Sequence, residues 1–228
     1  DFDLCNVERA SLIFVWGMNW IATKMPDAHW LTEARLKGAK IVVISAEYSS
    51  TANKGDEVVV VRPGTTPALA LGFAQVILAE KLYDEQEVKA NTDLPLLVRM
   101  DTGQLLSAED VFPDYELGEL KNHVLVTPEG KKGPLMHKQP GPVISQAQRK
   151  EWGDYVMWDA KQKAPAAVTR DQVGKAWQGA GIEPALTGTY EVELAGGETV
   201  TCRTVLAVTK QMLDQSYTPA DVEKLTWA

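Results

Sequence analysis

Three short polar segments, each directly after an apolar run, carry residue types that bind nucleotide-like ligands. A glycine lets a ligand approach the backbone, an amide bonds to heterocycles or phosphates, and a carboxylate after a strand often binds ribose hydroxyls. The candidate residues of this kind are Gly17, Asn19, Glu47, Gly64, Thr65 and Thr66. Ordinary turns, a solvated carboxylate and a helix cap explain the same residues one by one. Their convergence at one place would therefore be the evidence for a binding site.

The histidines and cysteines form no recognisable catalytic or metal-binding set. Cys5 and Cys202 stand far apart, and neither has a cysteine or histidine beside it at metal-ligand spacing. His29 falls inside a predicted helix, where packing or hydrogen bonding is the commoner role, and His123 and His137 have no evident triad partner. A G-x-G-x-x-G segment is missing after the first strand, which argues against a nicotinamide cofactor. The sequence predicts no catalytic residue and no metal ligand of its own.

The apolar runs predict a parallel sheet that brings the three polar segments to one edge. Runs typical of strands covered on both faces occupy residues 11–16, 40–45 and 57–62. A helix is expected to begin at Pro26 and Asp27, and residues 67–83 are expected to form a largely buried helix. We therefore predict an α/β fold, a Rossmann-like parallel sheet with helices on both faces, whose ligand lies at the carboxyl ends of the strands.

The composition of the chain changes beyond residue 94. This part has many prolines and charged residues and only short strand-like segments, such as 96–100 and 123–126. Residues 189–194 and 198–203 flank Gly196-Gly197 and predict a hairpin, and a later helix should have Thr218 as its N-cap. The predicted division is an α/β ligand-binding domain at 1–94, an irregular α+β insertion at 95–188, and a hairpin with helices returning to the α/β domain at 189–228.

The composition of the chain excludes several classes of protein. The chain has 228 residues and a net charge of −8, which argues against binding to nucleic acid or to an anionic membrane surface. No run approaches the roughly 20 apolar residues of a membrane-spanning helix. The chain begins at Asp1 and stops within a helical pattern, so we expect a fragment of a longer polypeptide.

Several segments resemble the large subunits of molybdopterin oxidoreductases of the dimethyl sulfoxide reductase superfamily. The segments that carry this resemblance are 16–30, 32–35, 37–40 and 62–66. Residues 26–29, 94–98 and 217–219 are similar to the branch that contains respiratory nitrate reductase and nitrite oxidoreductase, and the first loop is most similar to nitrite oxidoreductase. The resemblance is strong up to about residue 100 and visible again from about Thr189.

This resemblance implies the cofactor and the activity. The family's molybdenum bis(molybdopterin guanine dinucleotide) would have one of its dinucleotides at the strand-end loops, which adds Ser45 and Tyr48 to the expected contacts. The molybdenum ligand and the [4Fe-4S] cluster of the full-length subunit are expected upstream of Asp1, so no residue here should ligate them. The implied reaction is the interconversion of nitrite and nitrate.

The implied partners are an iron–sulfur beta subunit and a haem or membrane-anchor subunit, in a membrane-associated complex whose periplasmic or cytoplasmic face stays open. Other interpretations also stay open. The enzyme could be a nitrate, chlorate or selenate reductase of the same family. The chain could instead be a stand-alone nucleotide-binding module, or a domain whose insertion docks a partner through Trp152, Tyr155, Trp158 and Trp177.

Overall fold

The computed structural model describes residues 4–118, 146–169 and 180–228. Its described strands are β1 (Leu12–Trp16), β2 (Lys40–Ser45), β3 (Glu57–Val60), β4 (Leu97–Arg99), β5 (Tyr155–Asp159), β6 (Ala164–Val168), β7 (Thr189–Glu193) and β8 (Thr199–Thr204). Its described helices are α1 (Trp20–Thr23), α2 (Ala28–Leu36), α3 (Thr66–Ala79), α4 (Glu85–Asn91), α5 (Ala108–Val111), α6 (Gln146–Trp152), α7 (Val205–Ser216) and α8 (Pro219–Thr226). These residues form two compact units, one of residues up to 82 and from 212 onwards, the other of residues 83–211.

The first unit is built on a parallel sheet with the order β1, β2, β3. Ile13 pairs with Ile41, and Val43 pairs with Val58, so the three strands run side by side in the same direction. β2 has the predicted bounds, whereas β3 ends at Val60, two residues before the predicted limit. Each strand therefore delivers its following loop to the same edge of the sheet.

The side chains of β2 alternate between two cores, because successive residues of a strand point to opposite faces. One core contains α1 and α2, and the other contains α3 and α8. The first core consists of Val7, Ile13, Val15, Trp20, Leu31, Ala34, Ala39, Ile41, Val43 and Ala52. The second consists of Val42, Ile44, Val61, Leu69 and Val222. Helices thus cover both faces of the sheet, which confirms the predicted α/β class.

The start of α2 differs from the prediction. Pro26 and Asp27 lie in a separate 3₁₀ turn, Met25–Asp27, and the α-helix itself begins at Ala28. Asp27 occupies the N-cap position of α2, with φ −98° and ψ 0° in place of helical dihedrals. The chain also forms the short helix α1, which the sequence pattern did not predict.

Helix α3 is shorter and more exposed than predicted. It ends at Ala79 because Lys81 adopts a left-handed φ of 56° and the Leu82 N–H closes back onto the Ile77 carbonyl at 2.9 Å. Its buried residues are Leu69, Gly72 and Gln75. Phe73 and Ile77 are each 41% exposed. The prediction of a largely buried helix is therefore wrong for this face of α3.

The second unit contains an antiparallel sheet of the order β4, β8, β7 and a separate β5–β6 hairpin. Tyr190 pairs with Cys202, which confirms the predicted hairpin of β7 and β8. Val98 pairs with Arg203, so the hairpin joins β4 and not the parallel sheet. Residues 83–94 and 189–211 consequently belong to the second unit, which differs from the division predicted from sequence. The predicted strand at 123–126, with His123, His137 and Trp177, lies outside the described residues.

Candidate functional site

The carboxyl edge of the parallel sheet gathers the three loops that carry the predicted site residues. The Gly17 N–H donates to the Ile44 carbonyl at 2.8 Å, directly beyond the last residue of β1. The Val61 N–H donates to the Ser45 carbonyl at 2.9 Å, directly beyond the last residue of β3. These two bonds extend the sheet ladder by one step on each side of β2, so all three loops leave the sheet side by side.

The first and second loops are joined by the side chain of Asn19. Its Oδ1 accepts a hydrogen bond from the Ser50 hydroxyl at 2.9 Å and another from the Thr51 hydroxyl at 2.8 Å. Thr51 Oγ1 also accepts the backbone N–H of Ile21 at 3.0 Å. Thr51 is fully buried and Ser50 is exposed. Asn19, which the sequence predicts to contact a ligand, therefore also holds two strand-end loops together.

Gly17 begins the first loop with a left-handed φ of 63°. Apart from its two chain neighbours, no heavy atom of the described residues lies within 4 Å of the position that a Cβ would take. The glycine is therefore required by the backbone conformation and not by crowding, because other residues rarely adopt this φ. The space beside it is open at the sheet edge.

The second loop presents two exposed side chains. Ser45 is buried at the end of β2, and its Oγ accepts the Glu47 N–H at 3.4 Å. Glu47 and Tyr48 are exposed, and 65% of Tyr48 is accessible. The three residues thus divide into a buried support and a carboxylate and phenol that face outward.

The third loop turns at Gly64, whose φ is 82° and which also has open space beside it. Thr65 stands at the N-cap position of α3, but its hydroxyl donates to the Arg62 carbonyl at 2.7 Å and makes no capping bond. The predicted alternative, a threonine that merely caps its helix, is wrong for Thr65. The start of α3 therefore keeps the positive end of its dipole without a side-chain acceptor at the N-cap.

Arg62 and Trp227 form a further pair beside the third loop. The Arg62 N–H donates to the Thr226 carbonyl at 2.8 Å, and the guanidinium carbon lies 5.7 Å from the centroid of the Trp227 ring. Trp227 is 68% exposed. This cation–π contact holds the guanidinium of Arg62 over the exposed indole of Trp227.

Beside Asn19 and Ser50 in the sequence are two buried polar atoms that have no hydrogen-bond partner among the described residues. They are Nε1 of Trp20, which follows Asn19, and Oγ of Ser49, which precedes Ser50. Trp20 is 5% exposed and Ser49 is 9% exposed. Buried donors are normally paired, and an unpaired one costs about 1–3 kcal/mol. Each of the first two loops therefore carries one buried polar atom without a partner.

The structure brings some predicted residues together and leaves others apart. Asn19 bonds to the second loop, and Gly17 is tied to the sheet next to Ser45, whereas Gly64 and Thr65 turn within their own loop. The residues that sequence reasoning did not assign to the site are Trp20, Ser49, Ser50, Thr51, Arg62 and Trp227. Three consecutive hydroxyl residues at 49–51 were the available signal for part of this set.

The described residues contain no group of three histidine, cysteine, aspartate or glutamate side chains placed to hold a metal ion. Cys202 is buried in the second unit, and burial raises the pKa of its thiol to about 11. His29 Nδ1 lies 2.9 Å from the Pro26 carbonyl, a bond within its own helix start. Among the helices in the described ranges, none is long and apolar enough to cross a membrane.

Comparison with known proteins identifies the family. The profile of a family described as molybdopterin oxidoreductase matches residues 2–220. The chain belongs to the molybdopterin oxidoreductase family. This match confirms the family predicted from segments 16–30 and 62–66, and its members are catalytic subunits of molybdenum oxidoreductases that use a molybdopterin cofactor.

Relatives of this molybdopterin oxidoreductase chain carry several substrate names. Perchlorate reductase subunit alpha of Dechloromonas aromatica (strain RCB) is 34% identical over 228 residues, covering 96% of this chain and 22% of that protein. Respiratory nitrate reductase subunit alpha of Haloferax mediterranei is 48% identical over 103 residues, 45% of this chain and 10% of that protein. Dimethylsulfide dehydrogenase subunit alpha of Rhodovulum sulfidophilum is 41% identical over 102 residues, 45% of this chain and 11% of that protein. The chain spans 22% or less of the length of these relatives.

Proposed function

We propose that this chain is part of the catalytic subunit of a nitrite oxidoreductase, an enzyme that interconverts nitrite and nitrate. The observation that carries the proposal is the sheet edge where Asn19 joins two strand-end loops, in a chain of the molybdopterin oxidoreductase family. Identity of 48% to a protein named respiratory nitrate reductase supports the substrate class. In the oxidising direction, nitrite and water give nitrate, two protons and two electrons.

We assign to this edge one guanine dinucleotide arm of the molybdenum bis(molybdopterin guanine dinucleotide). The residues present fit such a ligand, because buried donors without partners occur at Trp20 and Ser49. Exposed Glu47 would bind ribose hydroxyls, and Gly64 with the start of α3 would accept a phosphate. The proposed contacts are Gly17, Asn19, Ser45, Glu47, Tyr48, Gly64, Thr65 and Thr66.

The residues of this chain hold and orient the cofactor. When bound, the molybdenum of the cofactor supplies the oxygen-atom transfer. Gly17 and Gly64 leave open space for the ligand next to the backbone, and the bonded pair of Asn19 and Thr51 fixes the loops before binding. A preformed site loses less entropy when its ligand binds.

The proposed assembly also includes subunits outside this chain. The relatives named above are each called subunit alpha, which supports a complex of several chains. We assign to the complete enzyme a [4Fe-4S] cluster in the same subunit, an iron–sulfur beta subunit, and a haem or membrane-anchor subunit that attaches it to a membrane. Electrons from nitrite would leave through these centres.

Replacing Gly64 by glutamate in the complete enzyme tests the assignment of the third loop. The substitution Gly64→Glu puts bulk and negative charge where the phosphate is proposed, so bound molybdenum and guanine nucleotide should fall at least about tenfold. Both are measured per polypeptide in the purified enzyme. Gly38→Glu is the matched control, because Gly38 has a φ of 96°, open space beside it, and a place at the opposite edge of the same sheet.

The two variants share the backbone strain of a non-glycine residue at positive φ. Loss of cofactor in Gly64→Glu with normal content in Gly38→Glu supports the proposed site. Equal content in the two variants, whether normal or reduced, would contradict it.

A second candidate function is the reduction of a chlorine oxyanion. The observation in its favour is that the match to perchlorate reductase subunit alpha covers 96% of this chain, against 45% for the nitrate reductase relative. The cofactor site would be the same, and only the substrate and the direction of electron flow would differ.

A further inference from the structure

Helix α1 takes its N-terminal cap from a different loop. Asn19 occupies the N-cap position, and an asparagine there usually accepts a backbone N–H from the first turn with its own side chain. Here its side chain makes no capping bond, and Thr51 Oγ1 accepts the Ile21 N–H instead. Thr51 therefore releases the Asn19 side chain from capping.

The same threonine decides which way the Asn19 amide faces. Because Thr51 is fully buried, its hydroxyl proton needs an acceptor within the protein. The Asn19 side chain, 2.8 Å away, is that acceptor, and only its oxygen can accept, since an amide nitrogen only donates. Ser50 donates to the same oxygen, but Ser50 is exposed and water can replace its bond. Thr51 is thus the decisive partner.

With its oxygen held in this way, Asn19 has two N–H groups on Nδ2 for a further partner. Asn19 is only partly buried, and its Nδ2 makes no hydrogen bond within the described residues. The buried donors of Trp20 and Ser49 lie beside it in sequence and also lack partners in the described residues. The Asn19 amide group consequently supplies two hydrogen-bond donors, which suits a ligand rich in acceptor oxygens and ring nitrogens.

We infer that Thr51 is a positioning residue that fixes Asn19 as a hydrogen-bond donor to an acceptor atom of the bound cofactor. This inference rests on the proposed function, because it needs the cofactor at this edge. Thr51 itself touches no ligand in this scheme. It acts through Asn19 by accepting from Ile21 and donating to Asn19 Oδ1.

Substitutions in the complete enzyme separate the two roles of this pair. Thr51→Val keeps the shape but removes the hydroxyl, and Thr51→Ser restores it. Asn19→Asp keeps an oxygen acceptor for Ser50 and Thr51 but replaces the donor group by a second oxygen. The measurements are molybdenum and guanine nucleotide per polypeptide, and the rate at which both are lost during dialysis.

The expected effects follow from the lost bonds. Thr51→Val should accelerate cofactor loss about three- to tenfold, the usual worth of one hydrogen bond. Thr51→Ser should lose cofactor at the wild-type rate. Asn19→Asp should lose cofactor faster still, because it removes the donor and adds a charge that repels acceptor oxygens. Thr51→Val should then add little in the Asn19→Asp background, since both changes remove the same contact.

Three outcomes would overturn the inference. Thr51→Ser could fail to rescue, the two substitutions could add fully in the double variant, or Asn19→Asp could retain cofactor like the wild type. The last outcome remains decisive even where Thr51→Val does not fold, because Asn19→Asp preserves the bonds of Thr51. Normal cofactor content in Gly64→Glu would instead contradict the cofactor site assigned under the proposed function, so the two failures are distinguishable.

Discussion

At the scale of single residues, two polar clusters of this chain differ in how completely their bonds are made. Asp154 in the second unit is fully buried and accepts from Tyr115, Gly118 and Arg149 at 3.0, 2.8 and 2.7 Å. A buried carboxylate is stable only with such partners. The cluster around Asn19 instead lies beside buried donors without partners. The complete bonding of Asp154 suits a structural role, whereas the unpaired atoms beside Asn19 are consistent with the proposed ligand site.

The hydroxyl of Tyr115 should make stability depend on alkaline pH. Burial and the hydrogen bond to Asp154 raise its pKa from 10.0 to about 12. The neutral hydroxyl therefore stabilises the folded state fully below pH 10, and this contribution is lost as the pH rises through about 12. Between these values the free energy of unfolding of the wild type should fall more steeply than that of Tyr115→Phe, as measured by urea denaturation at several pH values.

A measurement at pH 8 provides the reference for this comparison, because the hydroxyl is then neutral in both the folded and the unfolded chain. Tyr115→Phe should be less stable there by about 1–3 kcal/mol, the worth of a hydrogen bond to a charged group. The gap between the two proteins should narrow above pH 10. Parallel curves up to pH 12 would show that Tyr115 is not held neutral by Asp154.

At the scale of elements, the sequence predicts those helices and strands whose determinants are local. All residues of β2 after Lys40 are buried, and its predicted bounds were correct. Helix α8 has Thr218 and Pro219 at its start, as predicted, and Thr218 Oγ1 accepts the Asp221 N–H. Helix α1 has four residues and is capped by Thr51, 30 positions from Ile21, so no local pattern could reveal it.

The same distinction applies to the candidate site. The convergence of three loops at one sheet edge was predictable, because parallel strands always place their carboxyl ends together. The bonding of Asn19 to Thr51 was not, since it links residues 32 positions apart. The exposure of Phe73 and Ile77 was also missed, because α3 is apolar on most sides and its sequence does not mark a buried face.

The close packing of α3 against α8 depends on Gly72. A Cβ on Gly72 would lie 2.8 Å from Cγ2 of Val222, which is 3% exposed. In a helix, alanine is more stable than glycine by about 1 kcal/mol, which favours the substitution. The clash opposes it, because the side chain of Val222 is β-branched and buried and cannot easily move aside. Gly72→Ala should therefore lower the free energy of unfolding by about 1–3 kcal/mol.

Truncating Val222 removes the clash with a residue 72 side chain. Its effect on the free energy of unfolding therefore separates the packing contribution from that of helix propensity. Val222→Ala alone should destabilise the protein, because it leaves a cavity. In the Gly72→Ala background the cost of Val222→Ala should be smaller, since the new methyl group fills part of that cavity. The midpoints of urea denaturation for the four proteins give this coupling. Additive effects would show that Gly72 and Val222 do not limit the approach of the two helices.

At the scale of the whole molecule, family membership extends further than the proposed binding edge. The family match covers residues 2–220 and so includes residues of both units, whereas the proposed cofactor contacts all lie in the first. The second unit is an antiparallel structure with its own core, which includes Leu97, Val156 and Cys202. Folding of the second unit therefore does not by itself report on the proposed binding edge.

The substrate is decided by an assay of the complete enzyme, because this chain spans 22% or less of its relatives. We expect nitrite oxidation with an artificial electron acceptor to exceed perchlorate or chlorate reduction by at least about tenfold in kcat/KM, a common margin for substrate discrimination. Perchlorate or chlorate reduction as the faster reaction would favour the second candidate function. The Gly64→Glu enzyme is the control for both, since either activity needs the cofactor that this edge is proposed to bind. If that variant keeps its cofactor and one full activity, the substrate is still identified, but the binding edge must be sought elsewhere in the subunit.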